Sequence, residues 1–268
     1  MAQSDRAGPE APLVTRRDEG GVVTLTLNRG ERLNPLSAGM IAALDGQLDA
    51  VAADRSARVV VLAAAGRGFC AGHDLRELRA HGGDPGWQRQ LFDDCSRVMV
   101  KLTELPQPVI ARVHGIATAA GCQLVSMCDL AVASDEARFA LPGIHIGLFC
   151  TTPAVGVVRN VGRKHAMELL LTGEPVDART ALAWGLVNRV VPSAWLDAEI
   201  ARYTEVLLAR SPRAIASGKR AFYRQVDEPL GGAYALAGDA MARALLEPEA
   251  AEGIAAFLEK RPARWPAG

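Results

Sequence analysis

Two segments of small residues have the composition of loops that wrap around a ligand. The first spans 66–75 and reads Gly-Arg-Gly-Phe-Cys-Ala-Gly-His-Asp-Leu, just downstream of the apolar run Val59–Ala64. The second spans 116–129, where small residues precede a helix expected to begin near Ala120. Small side chains let backbone N–H groups come close to a bound molecule, and a helix start adds its positive dipole end. Two such loops can direct two N–H donors at one oxygen atom that becomes negatively charged during a reaction.

The cysteines do not form the pattern of a metal site or a disulfide framework. There are five of them, no two are spaced as Cys-x-x-Cys, and the odd number leaves one unpaired. They are expected to be reduced and mostly buried. Cys150, next to Thr151 and Thr152, suggests an acyl-enzyme or a peptidase, but no histidine and aspartate stand in a pattern that would activate its thiol. An unreactive small residue is therefore the favoured interpretation, and no metal site is predicted.

Length and charge exclude several classes of protein. The chain has 268 residues, of which 49% are hydrophobic, so it can bury one large core without disulfide or metal support. Thirty basic residues balance thirty acidic ones, which leaves no broad basic surface for nucleic acid or anionic membranes. No apolar run is long enough to span a membrane, and the start does not have the layout of a secretory signal. We predict no nucleic-acid partner, no membrane span and a cytoplasmic location.

Apolar patterns predict an α/β fold. Residues Val22–Leu27 alternate between apolar and polar, as in a strand with one exposed face, whereas Val59–Ala64 are continuously apolar, as in a buried strand. Ser37, between these strands, is a good N-cap for a helix. Segments 108–115 and 130–134 repeat the strand signal beside helical segments. Such alternation is typical of α/β proteins.

Three regions are predicted along the chain. Residues 1–12 are polar and contain proline, which is typical of a disordered tail. Residues 13–208 contain the strand signals and form the core. From Ser211 and Pro212 onward the sequence becomes rich in alanine and has no strand signal, so residues 209–268 are predicted to form a helical C-terminal region.

The two loops resemble the crotonase superfamily, also called the enoyl-CoA hydratase/isomerase family. Its patterns Phe-Cys/Ser-Ala-Gly-x-Asp-Leu and Gly-x-Ala-x-Gly-Gly-x-x-Glu match residues 69–75 and 115–123 at most positions. The resemblance extends from about Val14 to Pro262, and it includes segments 28–37, 171–175, 184–192 and 252–262. It implies a crotonase-like spiral of ββα units with a C-terminal helical trimerisation region, in a homotrimer or a dimer of trimers. It also implies an acyl-CoA thioester as substrate or ligand, with no further cofactor.

The resemblance implies an oxyanion hole made by the backbone N–H groups of His73 and Ala120. Ala120 stands where the family usually has glycine, so the hole is expected to keep its donor but to be narrower. Hydratases of the family position and activate water with two glutamates, and those two positions fall on Gln123 and Gly143. These four residues are the catalytic candidates. Because an amide has no useful basicity near neutral pH, efficient hydration is not expected.

Two histidines are candidates to replace the missing carboxylates. His145 lies two residues beyond Gly143, on a strand-like run that would return it to the same face. The side chain of His73 could face the acyl group, and histidine is a common base near neutral pH. For both residues a role outside the chemistry is the favoured alternative. Asp74 is expected to brace its own loop through side-chain hydrogen bonds.

Recognition of coenzyme A is expected from backbone contacts of the first loop and from cations. The contributing residues are Ala71, Gly72, His73, Asp74, Leu75 and Arg76 in the first loop, with Ala120 and Gly121 in the second. Arg32 and Arg76 are candidate phosphate contacts. The resemblance maps contacts from a neighbouring subunit onto Phe257 and Lys260, an aromatic wall and a point charge. The alternative is that Lys260 is only one cation of an exposed Lys-Arg pair.

Two functional hypotheses from different classes follow. In the first, the protein is an acyl-CoA enzyme of the hydratase/isomerase type that stabilises a thioester enolate in its oxyanion hole. In the second, it holds acyl-CoA on a crotonase scaffold without turnover. Gln123 and Gly143 separate the two hypotheses, because they decide whether a base is available.

Overall fold

The computed structural model of the chain describes residues 11–265. Of the predicted tail 1–12, residues 1–10 lie outside the described residues. The carbonyl oxygens of Ala11 and Pro12 accept hydrogen bonds from the side chain of Arg29, at 2.8 and 3.4 Å. These first described residues are therefore attached to the core.

Nine strands lie within the described residues, and they form two sheets. The six-stranded sheet has the order β1-β2-β3-β4-β6-β9, and the three-stranded sheet has the order β5-β7-β8. The strands are β1 (Val14–Glu19), β2 (Val22–Leu27), β3 (Val59–Ala64), β4 (Val109–Val113), β5 (Ile116–Thr118), β6 (Leu130–Ser134), β7 (Arg138–Ala140), β8 (Val176–Asp177) and β9 (Arg189–Val191). The strands predicted at 22–27, 59–64, 108–115 and 130–134 are confirmed.

Eleven α-helices surround these sheets within residues 11–265. They are α1 (Ala38–Ala53), α2 (Leu75–Ala80), α3 (Pro85–Glu104), α4 (Ala120–Met127), α5 (Thr151–Val157), α6 (Arg163–Thr172), α7 (Ala178–Trp184), α8 (Leu196–Leu208), α9 (Pro212–Gln225), α10 (Leu230–Ala244) and α11 (Pro248–Leu258). Short 3-10 helices lie at Gly30–Arg32, Pro142–Ile146 and Ser193–Trp195. No helix among the described residues is both long enough and apolar enough to cross a membrane.

The sequence explains how the main sheet forms. β1 and β2 form an antiparallel hairpin, and β2, β3, β4, β6 and β9 then pair in parallel. Alternate residues of β2 are buried, whereas every residue of β3 is buried, as the two apolar patterns predict. The Ser37 hydroxyl accepts a hydrogen bond from the backbone N–H of Met40 at 3.1 Å, which confirms it as the N-cap of α1.

The parallel strands give the sheet two functionally different edges. The carboxyl edge is where β3 and β4 end, at Ala64 and Val113, and the amino edge is where they begin, at Val59 and Val109. Both predicted ligand loops leave the sheet at the carboxyl edge. Ligands of open α/β sheets commonly bind outside this edge.

A buried ion pair attaches α9 to the core of the same chain. The Nζ of Lys219 donates to Asp129 Oδ2 at 2.6 Å and to the carbonyl oxygens of Leu102 and Gln107, each at 2.9 Å. The hydroxyl of Tyr223 donates to Asp129 Oδ1 at 2.9 Å. The Lys219 and Asp129 side chains are only 7% and 16% exposed, and burial lowers the pKa of Lys219. The polar groups satisfy one another, so the first C-terminal helix packs on its own chain.

Candidate active site

The two loops predicted from the sequence lie against each other. The backbone N–H groups of Phe69 and Cys70 donate to the Ile116 carbonyl oxygen at 2.9 and 3.1 Å, and Thr118 N–H donates to Cys70 O at 2.9 Å. A Cβ atom on Gly121 would lie 2.2 Å from Cys70 O, so only glycine allows this approach. Backbone hydrogen bonds therefore fix the first loop in register with the start of the second.

Several backbone N–H groups at this junction have no acceptor among the described residues. They belong to His73 and to the first turn of α4, which comprises Ala120, Gly121 and Cys122. Gly72 between the loops has a φ of +89°, and a Cβ atom there would lie 3.4 Å from the Ala120 nitrogen. Only glycine therefore fits without strain at this position, next to the N–H groups of His73 and Ala120.

Backbone strain lies one residue before the position expected from the sequence. Ala120 begins α4, and its φ is not among the positive values, so its methyl group is compatible with the helix. Ala119 has a φ of 49° and a ψ of −121°, a conformation that favours glycine. The Ala119 N–H donates to Ala140 O at 2.9 Å, and Ala119 O accepts from Gln123 N–H at 3.0 Å. These bonds hold the strained residue in place and orient the next N–H.

Gln123 carries an unpaired amide oxygen on the same helix as Ala120. The residue is 4% exposed, and its Oε1 is buried without a hydrogen-bond partner in the described chain. It lies three residues after Ala120 on α4, so the two residues share one helix face. The amide can accept or donate a hydrogen bond, but it cannot take up a proton from water at neutral pH.

Cys150 occupies the space in front of Gly143. The Gly143 N–H donates to Cys150 Sγ at 3.3 Å, and a Cβ atom on Gly143 would lie only 2.8 Å from that sulfur. Burial raises the pKa of the Cys150 thiol, which keeps it protonated at neutral pH. The thiol is therefore a small filling group and does not have the environment of a nucleophile.

His73 has a neutral side chain. Burial lowers the pKa of its imidazole to about 4, and its Nε2 is buried without a partner in the described chain. The ring meets Phe92 edge-on, with centroids 5.1 Å apart. A neutral imidazole at this depth can accept a proton only at considerable energetic cost.

The prediction that His145 shares a face with Gly143 is wrong. Both residues lie in the 3-10 helix Pro142–Ile146 and not on a strand. In such a helix, residues that are two positions apart point in directions about 240° apart around the axis. The His145 Nε2 lies 2.8 Å from the Thr172 carbonyl oxygen. This contact joins the short helix to the end of α6.

Asp74 braces the first loop, as predicted. Its Oδ1 accepts a hydrogen bond from Arg76 N–H at 2.9 Å, which caps α2, and its Oδ2 pairs with Arg32 Nη2 at 3.0 Å. The Arg32 side chain remains 46% exposed, and Arg76 is exposed. Both guanidinium groups are open to solvent, although that of Arg32 is shared with Asp74.

The remaining predicted contact residues fall into two places. Ala71 and Leu75 are exposed on the first loop, and Gly121 is buried beneath it. Phe257 and Lys260 lie at the end of α11, and the Phe257 side chain is 82% exposed. Among the described residues no group of three His, Cys, Asp or Glu side chains is placed to hold a metal ion.

Sequence reasoning overlooked two features of this site. The strain at Ala119 had a signal, because the chain has Ala-Ala where the family pattern has Gly-Gly. The contact between Cys150 and Gly143 had none, because a seven-residue separation does not reveal which way a loop folds.

Comparisons with known proteins find relatives that cover most of the chain. A family model described as "Enoyl-CoA hydratase/isomerase" matches residues 17–267. The chain is 42% identical over 262 residues to "Enoyl-CoA hydratase domain-containing protein 3, mitochondrial" of Rattus norvegicus, covering 97% of this chain and 87% of that protein.

Two solved structures share the fold. A crystal structure of enoyl-CoA hydratase of Mycobacterium smegmatis has a TM-score of 0.93 and 54% identity, covering 95% of this chain and 99% of that chain. The human enoyl-CoA hydratase domain-containing protein 3 has a TM-score of 0.91 and 42% identity, covering 94% and 100%. The predicted α/β class with a crotonase-like arrangement and a helical C-terminal region is confirmed.

Proposed function

The chain belongs to the enoyl-CoA hydratase/isomerase family, and we propose that it binds acyl-CoA thioesters with the thioester oxygen between the N–H groups of His73 and Ala120. The observation that carries the proposal is the pair of unpaired donors at the junction of the two loops. Ala71, Gly72 and Leu75 line the ligand side of the first loop. Coenzyme A itself is the only cofactor-like group that the proposal requires.

The chemistry of a thioester explains the need for two donors. Its carbonyl oxygen gains negative charge when the α-carbon loses a proton or the β-carbon is attacked. Each preorganised donor of this kind typically lowers the barrier by about 3 kcal/mol. α4 adds its positive end at the same point, because it begins at Ala120.

The same site is poorly equipped to hydrate a double bond. Gln123 supplies an amide and Gly143 supplies no side chain, while the space beyond Gly143 is filled by the protonated thiol of Cys150. The general acid–base catalysis that two carboxylates would supply typically raises the rate by about 10²- to 10⁴-fold. We propose enolate stabilisation with slow hydration. Binding of acyl-CoA without turnover is the second candidate, and it is favoured by the neutral side chain of His73.

The assembly proposed is a homotrimer or a dimer of trimers, in which Phe257 and Lys260 border the acyl-CoA site of a neighbouring subunit. This assembly is supported by the high exposure of the apolar Phe257 side chain at the end of α11. Replacing both residues with alanine should weaken acyl-CoA binding several-fold while thermal stability remains. A stable monomer with full affinity in light scattering would refute the shared site.

Cellular location stays a prediction. The cytoplasmic location is predicted from the lack of a membrane-spanning apolar run and of a secretory-signal layout, whereas the name of the Rattus norvegicus relative includes the word "mitochondrial". Fractionation of cells that express the chain with its native start would decide between them.

The binding proposal is tested by thermal denaturation with acyl-CoA. A ligand at a hundredfold excess over its Kd stabilises the native state by about 2.7 kcal/mol, which should raise Tm by several degrees. Crotonyl-, butyryl- and long-chain acyl-CoA are compared with an S-butyl thioether of coenzyme A, which has no carbonyl oxygen. The thioether should bind about tenfold more weakly than butyryl-CoA, because it leaves both donors unpaired. If no acyl-CoA changes Tm, the proposal that the protein binds acyl-CoA is refuted. If the thioether binds as tightly as butyryl-CoA, the assignment of the oxyanion hole to His73 and Ala120 is refuted.

A further inference from the structure

A second cavity lies between the C-terminal helices α9, α10 and α11. Its volume is about 710 Å³, within the range of roughly 300–1,000 Å³ typical of sites for small molecules. The whole chain has no net charge, yet the cavity is strongly basic. It is lined by two glutamates and by five arginines, namely Arg210, Arg213, Arg220, Arg224 and Arg243.

The arginines are arranged along one helix face. Arg213, Arg220 and Arg224 lie on α9 at intervals of seven and four residues, which places them on the same side of the helix. Arg220 and Arg224 have no carboxylate partner in the described chain, and neither has Arg210. Repeated guanidinium groups without partners are suited to a ligand with more than one anionic group.

A buried carboxylate faces the same cavity. Glu249 lines the cavity and is only 6% exposed. Its Oε1 lies 3.3 Å from Arg213 Nε, but its Oε2 is buried without a hydrogen-bond partner in the described chain. Burying an unpaired carboxylate oxygen is costly, so this atom calls for a donor from a bound molecule. An anion without a proton, such as sulfate, would satisfy the arginines and leave Glu249 unsatisfied.

This cavity is separate from the acyl-CoA site of the same chain. Trp265 lines it and also lines an adjoining groove formed by Arg58, Pro106 and Gln107. Those residues precede β3 and β4 at the amino edge of the sheet, whereas His73 and Ala120 lie beyond its carboxyl edge. The indole of Trp265 is held by a hydrogen bond from its Nε1 to Ala209 O at 2.9 Å.

We infer that this cavity is a second ligand site, for a phosphorylated nucleotide. Phosphate groups would pair with Arg220, Arg224 and Arg210, a hydroxyl or amino group would donate to Glu249 Oε2, and the base would pack on Trp265. The site does not depend on the acyl-CoA proposal.

The test is a calorimetric titration of the full chain with ADP, in parallel with adenosine and inorganic phosphate. The titration is repeated with saturating crotonyl-CoA, so that ADP entering the acyl-CoA site is recognised by competition. We expect ADP to bind at least about tenfold more tightly than adenosine or phosphate, since charged hydrogen bonds and stacking add. Arg220→Ala/Arg224→Ala should weaken ADP about tenfold or more, whereas the matched control Arg89→Ala, an exposed arginine on α3, should not.

Two further results bear on the inference. Glu249→Ala should reduce the preference for ADP over sulfate, because only the nucleotide offers a donor to that carboxylate. Circular dichroism checks that the alanine variants keep their helices. The inference is overturned if wild-type protein binds no ADP at millimolar concentration, or if the double arginine variant binds it equally well. If the wild type binds no ADP and the double arginine variant changes the oligomeric state, the cavity is a contact between subunits.

Discussion

Replacing Ala119 with glycine should stabilise the protein. Ala119 has a φ of 49° and a ψ of −121°, and such a conformation costs a residue with a Cβ atom about 1–3 kcal/mol. Glycine removes this cost, but it also destabilises the folded state by roughly 0.5–1 kcal/mol because it gives the unfolded chain greater conformational freedom. The net gain should be about 1 kcal/mol. For a chain of this size it corresponds to a rise in Tm of about 2–4 °C.

Ala120→Gly is the matched control for this prediction. Ala120 begins α4 without a positive φ, so glycine there relieves no strain and should destabilise the fold by up to about 1 kcal/mol. Both variants are compared with wild type by calorimetry at one protein concentration, because assembly would make Tm depend on concentration. If Ala119→Gly melts at or below the temperature of Ala120→Gly, the strain does not lie at Ala119.

Three other predictions concern the candidate active site and the helix that supports it. Gln123→Glu/Gly143→Glu/Cys150→Ala should raise crotonyl-CoA hydration by about 10² to 10⁴, because both carboxylates are restored and the sulfur that lies 2.8 Å from the new Cβ is removed. The partly buried His73 has a pKa of about 4 against 6.5 for an unperturbed group, so the unfolded chain binds more protons than the folded chain between these two pH values. The contribution of His73 to the free energy of unfolding should therefore be fully present above pH 6.5 and should be lost as the pH drops towards 4. The loss should be at most about 3 kcal/mol. Urea unfolding of His73→Leu should not show this loss. Lys219→Met should cost about 3–5 kcal/mol in urea unfolding, since it leaves a buried carboxylate without its cation.

Each of these predictions has its own control. Gln123→Glu/Gly143→Glu with Cys150 retained should fold less well or hydrate more slowly than the triple variant, and equal rates would contradict the role given to the thiol. For the pH prediction, the difference between wild type and His73→Leu is the relevant quantity, and a difference that does not change with pH would refute it. Arg202→Met removes an exposed ion pair with Glu199 and should lower the free energy of unfolding by less than about 1 kcal/mol. If Lys219→Met lowers it by no more than this, burial does not make the Lys219–Asp129 pair more important than an exposed pair.

Much of the fold was predictable from the sequence, because strands and caps depend on neighbouring residues. The alternation of β2, the apolar run of β3 and the hydroxyl of Ser37 each specify their element locally. The two glycine-rich loops were predictable for the same reason. His145 was misplaced because a short segment can form either a strand or a 3-10 turn, and only packing against the end of α6 selects one.

The residue types at the candidate site can be read directly from the chain: Gln123 carries an amide and Gly143 carries no side chain. The assignment of backbone donors to His73 and Ala120 needed the resemblance of the two loops to a family. The strain at Ala119, the lack of acceptors for the His73 and Ala120 N–H groups among the described residues, and the Cys150 sulfur in front of Gly143 appear only in the folded chain. Contacts between separate loops depend on how the whole core packs, and local sequence does not specify that packing.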